Sequence, residues 1–223
     1  MVECKSSAKH AGAAEAVVMH NLAVSAFRLG KMEAALKFIS RACAHAEAPA
    51  SWHRNHAEIL DRCGNSTAAE AAARLALSRD PDHAGTWDTL GTILAQRDSH
   101  AESCACYKRA VEIEPNSVQA LNNLAVTLAR LGRRKAAVAR YRQALSLAPE
   151  SPQIQLNFAT LLGELGHYQE GLEIVRAVLD LCPDSTRARS IATEFTRELK
   201  RQAKLEQKKN KDTRAAYALS MTA

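Results

Sequence analysis

The amino-acid sequence predicts an all-α protein, a right-handed α-solenoid of five 34-residue helix-turn-helix repeats followed by a C-terminal capping helix. Three observations predict this fold class. Alanine, the strongest helix former, accounts for 43 of the 223 residues. Four prolines recur at intervals of 34 residues: Pro81, Pro115, Pro149 and Pro183. Glycine, or aspartate in one case, also stands in the middle of each interval, where a helix can end, so each interval is predicted to hold two antiparallel helices.

The repeats occupy residues 16–185 without insertion, as units 16–49, 50–83, 84–117, 118–151 and 152–185. The eighth residue of each unit is small: Ala23, Ala57, Gly91, Ala125 and Ala159. The twentieth residue is small as well. Small side chains let two helix axes approach closely, so these two rows predict the contact inside each helical hairpin.

The turn inside each hairpin is predicted by the fifteenth residue, which is Gly30, Gly64, Gly132 or Gly166 in four of the units. Glycine tolerates the left-handed conformation in which helices commonly end. The third unit has Asp98 at this position. Aspartate enters that conformation more readily than most residues, so we expect the turn to be retained.

The two ends of the chain differ from the repeats. Residues 1–15 form an N-terminal extension. Residues 186–201 are predicted to form the capping helix, with an apolar stripe made of Ala188, Ile191, Ala192, Phe195 and Leu199. Residues 202–223 are expected to form a basic, flexible tail. The chain has 20 basic and 20 acidic residues before residue 186 but 10 against 4 after it, so the net charge of +6 comes from this end.

Several functional classes find no support in the sequence. No apolar run approaches the roughly 20 residues that span a bilayer, and residues 1–15 lack the apolar stretch of a secretory signal. We therefore expect a cytoplasmic protein. None of the usual nucleotide-binding, hydrolase or metalloprotease motifs occurs. Histidine and cysteine pairs at helical spacing supply only two metal ligands each, so the sequence predicts no metal site. Without any of the motifs above, it also predicts no enzyme and no cofactor.

The third unit resembles the tetratricopeptide repeat family in the residues that define its motif: Trp87, Leu90, Gly91, Ser103, Tyr107, Ala110 and Pro115. The resemblance extends over about three quarters of the chain, through five units in phase. It implies a concave groove lined by the first helix of every unit, and a protein or peptide segment as the ligand.

Asparagine is concentrated at one groove-facing position, the sixth of each unit: Asn21, Asn55, Asn123 and Asn157. These are four of the eight asparagines in the chain. An amide can donate to and accept from an extended peptide backbone, and the row is similar to the asparagine ladder of O-linked N-acetylglucosamine transferases. Alternatively, each amide bonds a helix of the neighbouring unit. The remaining candidate contacts with the peptide are Arg28, Arg62, Arg130, Asn122 and Phe27.

The sequence therefore predicts a non-enzymatic interaction module that binds an extended or partly helical peptide, as adaptor or chaperone. The alternative is the targeting arm of a glycosyltransferase that acts in trans. Nucleic acid is not favoured as a partner, because the basic tail has no aromatic side chains for stacking. The sequence also allows a weak contact between the tail and an anionic surface, and the formation of a homodimer.

Overall fold

The computed structural model describes the backbone of residues 2–221 and the side chains of residues 12–210. This part of the chain contains eleven α-helices and no strand. The helices are α1 (Val2–Arg28), α2 (Met32–Cys43), α3 (Ala50–Arg62), α4 (Ser66–Arg79), α5 (Ala84–Gln96), α6 (His100–Ile113), α7 (Val118–Arg130), α8 (Arg134–Leu147), α9 (Pro152–Glu164), α10 (Tyr168–Leu181) and α11 (Thr186–Met221). Among the described helices, none combines the length and the hydropathy that a membrane-spanning segment requires.

The turn in the middle of each repeat has the left-handed backbone that the fifteenth residue predicts. The φ angles of Gly30, Gly64, Gly132 and Gly166 lie between 71° and 79°. Asp98 has a φ of 58° and is the only residue other than glycine with a positive φ in the described backbone. The turn in the third unit is thus retained without glycine, as predicted.

The helices at both ends of the chain are longer than the sequence predicts. Helix α1 begins at Val2, so no helix boundary separates the predicted N-terminal extension from the first repeat. Helix α11 continues past residue 201, the predicted end of the capping helix, to Met221. Residues 186–221 contain neither proline nor glycine, so nothing in the local sequence ends the helix. The flexibility expected of residues 202–223 stays a prediction, and the side chains from residue 211 onward lie outside the described residues.

The chain forms two compact units, Met1–Arg133 and Arg134–Ala223. In the first unit, α1 and α2, α3 and α4, and α5 and α6 pack as hairpins. The first helices of successive repeats, α1, α3, α5 and α7, also approach one another closely, whereas the backbones of α2, α4 and α6 do not, within the described residues. The first helices therefore line the inner side of this stack.

Small residues make the close hairpin contacts of the first unit. Ala57 in α3 and Ala69 in α4 are fully buried, and the equivalent pair in the next hairpin is Gly91 and Ser103. The Ser103 hydroxyl is also buried and donates a 2.7 Å hydrogen bond to the carbonyl oxygen of Gly91. This bond satisfies a hydroxyl that would otherwise be costly to bury.

In the second unit, α11 covers the hairpin of α9 and α10. Ala188 and Phe195 are buried against Leu156, Leu172 and Val175. Ile191, Ala192 and Leu199 are partly buried in the same cluster. The apolar stripe of the predicted capping helix therefore packs on the last predicted repeat.

Candidate functional site

The inner side of the first unit contains two cavities. The first cavity has a volume of about 280 Å³ and lies among α3, α5, α7 and the end of α6; its polar lining includes Arg54, Asn55, Glu58, Asp88, Thr89, Glu114 and Gln119. The second cavity has a volume of about 200 Å³ and lies among α5, α6 and α7; its lining includes Thr92, Gln96, Tyr107, Asn123, Val126, Thr127 and Arg130. Both cavities are rich in groups that can hydrogen-bond.

A buried carboxylate connects the two cavities. Asp88 lines the first cavity and is only 9% exposed. Its Oδ1 accepts a 3.0 Å hydrogen bond from Nδ2 of Asn123, and its Oδ2 accepts a 2.7 Å bond from Nε2 of Gln119. Burial raises the pKa of Asp88, and the two amide donors partly offset this effect by stabilising the carboxylate. These bonds join α5 to α7 and fix the orientation of both amides.

Three asparagines of the predicted row bond a neighbouring helix. Asn55 Nδ2 lies 3.0 Å from Nε2 of His20, Asn123 donates to Asp88, and Asn157 Oδ1 accepts a 2.8 Å bond from Arg187. This is the arrangement that the sequence analysis left as the alternative to peptide capture. Asn55 still lines the first cavity and Asn123 the second, so the two roles are compatible at these positions.

The other predicted peptide contacts occupy different environments. Arg130 lines the second cavity. The Arg62 guanidinium stacks on Phe27, with 5.9 Å from Cζ to the ring centroid. Arg28 is exposed at the end of α1. Asn122 is only 7% exposed and donates a long bond of 3.5 Å to Oδ1 of Asn123, so it lies beneath the inner surface.

Sequence reasoning placed Asp88, Gln96 and Gln119 on the inner side of the repeats but did not include them among the predicted peptide contacts. Gln96 donates a 3.2 Å bond to Asp61 of the preceding repeat, and the Asn55–His20, Asn123–Asp88 and Gln96–Asp61 pairs are all separated by 35 residues. A spacing of one repeat plus one residue is therefore the signal for these contacts. It can be found in the sequence only once the helix rotation is known.

Three histidines lie where the first two predicted repeats meet. His20 stacks on Trp52, with ring centroids 4.9 Å apart and an interplanar angle of 11°. His56 lies 3.3 Å from the Ser40 hydroxyl. His53 is 4% exposed, and its Nε2 has no hydrogen-bond partner among the described residues. Burial lowers the pKa of His20, His53 and His56; the positive charge of Arg79 lowers that of His53 further.

These shifts predict a pH dependence of stability. A histidine whose pKa is lowered by folding stays neutral in the folded state while the unfolded chain binds a proton, so the stability falls as the pH drops below about 6.5. We expect the melting temperature, measured by circular dichroism, to fall by a few degrees from pH 7 to pH 5. His53→Gln should make this dependence shallower. The matched change at the exposed His167, His167→Gln, should leave the slope as in the wild type, and equal slopes in all three proteins would contradict the prediction.

The chemistry available at the two cavities is hydrogen bonding and charge. Each cavity offers amides, hydroxyls and one guanidinium to a polar ligand, and the first cavity also offers carboxylates. Within the described residues, no three His, Cys, Asp or Glu side chains come together in a way that could hold a metal ion.

Two sequence-family models, both of tetratricopeptide repeats, match the chain, at residues 82–150 and 128–194. No curated protein sequence matches it significantly.

Solved structures match the fold over most of the chain. YrrB, described as a TPR protein with an unusual peptide-binding site, aligns with a TM-score of 0.66 and 19% identity, over 78% of this chain and 90% of YrrB. TTC0263, a TPR protein of Thermus thermophilus, aligns with a TM-score of 0.64 and 21% identity, over 81% of this chain and 98% of TTC0263. The part of MamA from Desulfovibrio magneticus RS-1 that runs from residue 41 to the end aligns with a TM-score of 0.70 and 16% identity, over 77% of this chain and 97% of that part. These likenesses confirm the fold class, an all-α solenoid of helical repeats.

Proposed function

The chain belongs to the tetratricopeptide repeat family, and on that premise we propose that it is a non-enzymatic interaction module that binds an extended or partly helical peptide along the inner side of α3, α5 and α7. Its role would be that of an adaptor or a chaperone. The observation that supports this proposal best is the pair of adjacent polar cavities on that surface.

The size of the cavities favours side chains of a peptide over a compact small molecule. Small-molecule sites usually have volumes of about 300–1,000 Å³. The two cavities, of about 280 and 200 Å³, are each below that range. A peptide that places successive side chains in both cavities would use them together, with its backbone lying across Asp88 and Asn123.

The neighbouring amides support backbone capture at the same place. Asn55 uses Nδ2 toward His20, and its Oδ1 accepts no hydrogen bond from the described residues. Asn123 is held by Asp88 before any ligand arrives. Amides that are already fixed lose little rotamer freedom on binding, which lowers the entropic cost of capture.

The alternative function, the targeting arm of a glycosyltransferase acting in trans, drew its support from the asparagine row. Three of those amides bond neighbouring helices. The row alone therefore does not favour the transferase arm over other peptide-binding modules.

A selected peptide tests the proposal. The full chain would be immobilised, 12-residue peptides would be selected from a random display library, and their dissociation constants would be measured by fluorescence anisotropy. A neutral hydrogen bond contributes about 0.5–1.5 kcal/mol, so Asn55→Ala and Asn123→Ala should each weaken binding by about 2- to 13-fold. Asn116→Ala, at an exposed asparagine outside both cavities, is the matched control and should leave the constant unchanged.

The same variants distinguish peptide capture from a purely structural role. Loss of affinity with a retained melting temperature supports the proposal. A lower melting temperature with unchanged affinity of the folded protein would show that the amides serve only to join the repeats. The proposed function would also be refuted if no peptide that binds at the two cavities could be selected.

A further inference from the structure

Helix α11 has two opposite faces of different character. At about 100° per residue, the buried Ala188 and Phe195 and the partly buried Leu199 lie on the face that packs on α9 and α10. The opposite face bears a row of cations, which we call the basic stripe: Arg197, Lys200, Arg201, Lys204 and Lys208. The basic stripe therefore faces away from the contacts that hold α11 in the second unit.

The later part of α11 is exposed on every side. All residues from 200 to 210 are exposed, including Leu205 at 54%. This segment contains five cations, and Glu206 is its only acidic residue. Acidic groups beside the stripe are few: Glu198 forms a 3.0 Å ion pair with Arg201, and Glu194 lies one turn earlier. The excess positive charge is thus concentrated on a solvent-exposed helix.

We propose that the basic stripe of α11 binds the phosphate backbone of a double-stranded nucleic acid, without reading its sequence. Polyanions attract such a row of cations through the release of condensed counterions. From Arg197 to Lys208 the stripe extends over about 16 Å of helix, with a cation on every turn. Over that length a duplex presents about ten phosphates, which exceeds the five cations of the stripe.

Three other anionic partners fit the surface less well. An amphipathic helix binds a membrane by burying its apolar face, but that face of α11 packs on α9 and α10 as far as Leu199. Protein interfaces are depleted in lysine and use aromatic or other apolar anchors, whereas the stripe has three lysines and no apolar member. Single strands are bound by stacking on aromatic rings, and the stripe contains none.

The sequence alone did not favour nucleic acid because the basic tail has no aromatic side chains for stacking, an argument that applies to single strands. The structure adds the continuous helix and the register that align the five cations opposite the packed side. This proposal is independent of the peptide cavities, since it involves no residue of the first unit.

The test is binding of the full chain to a fluorescein-labelled 20-base-pair DNA of mixed sequence, measured by anisotropy at several salt concentrations. With four or five phosphates contacted, the slope of log K against log salt should be about −4. Changing all five stripe residues to Gln should weaken binding at low salt at least tenfold and flatten the slope. Replacing only Lys200, Lys204 and Lys208 with Arg keeps the charge and should retain binding.

A matched control removes the same charge elsewhere, through Lys31→Gln, Lys37→Gln, Lys108→Gln, Arg133→Gln and Arg176→Gln, all at exposed positions. This variant should bind DNA within about twofold of the wild type. Equal losses in the two five-residue variants, or no binding by the wild type at low salt, would overturn the proposal. Tighter binding to phosphatidylserine vesicles or to polyglutamate than to the duplex would overturn it as well. Circular dichroism checks that every variant is helical.

Discussion

Replacing Phe195 with Ala should lower the free energy of unfolding of the second unit by about 3–5 kcal/mol. The ring is 3% exposed and occupies space that two glycines leave open. A Cβ atom at Gly163 would lie 2.5 Å from the ring, and one at Gly171 would lie 2.6 Å from it. The ring also packs edge-on against Tyr168, with centroids 5.5 Å apart. Truncation would therefore leave a cavity that the surrounding backbone cannot fill, and urea denaturation followed by circular dichroism measures the loss.

Leu205→Ala is the matched control for this change, because Leu205 lies on the same helix but is 54% exposed. It should alter the free energy of unfolding by no more than about 0.5 kcal/mol, as most surface substitutions do. Similar losses in the two variants would mean that Phe195 is not the side chain that attaches α11 to α9 and α10.

The fit between Phe195 and its two glycines shows which parts of the packing a sequence can predict. Phe195 was predicted from the apolar stripe, and Gly171 falls in a row of small residues that recurs in every repeat. Gly163 belongs to no such row, since it accommodates one ring on one helix. A contact that recurs in every repeat requires similar residues at the same position of each repeat, and this pattern is visible in the sequence. A contact made once in the chain produces no such pattern.

The candidate site divides in the same way. The asparagine row could be predicted because it repeats with the period of 34 residues. The identity of the inner helices followed from the resemblance to the tetratricopeptide repeat family. The hydrogen-bond partners of the amides could not be predicted, because they depend on the rotation of adjacent helices. Asn123 bonds Asp88, the fifth residue of its repeat, and no other repeat has aspartate at the fifth position. The extent of α11 was also underestimated, because a charged segment without apolar periodicity gives no signal for a helix.

Gly91→Ala should destabilise the first unit by about 1–3 kcal/mol, even though alanine is the better helix former. A Cβ atom at this position would lie 2.8, 2.9 and 3.0 Å from three ring atoms of Tyr107. That ring is 3% exposed, and its hydroxyl lies 3.1 Å from Oγ1 of Thr92. The ring can therefore give way only by shifting into the second cavity and losing its contact with Thr92, or by separation of α5 from α6. Thermal denaturation at pH 7.5 would measure the effect.

Gly12→Ala provides the control, since it makes the same substitution inside helix α1, where a new Cβ atom would have nothing within 4 Å. Helix propensity alone should then act, and it favours alanine by up to about 1 kcal/mol. The two variants should thus shift the melting temperature in opposite directions. If Gly91→Ala were stabilising as well, the close approach of α5 and α6 at the eighth position would not limit the side chain there, and the row of small residues would need another cause.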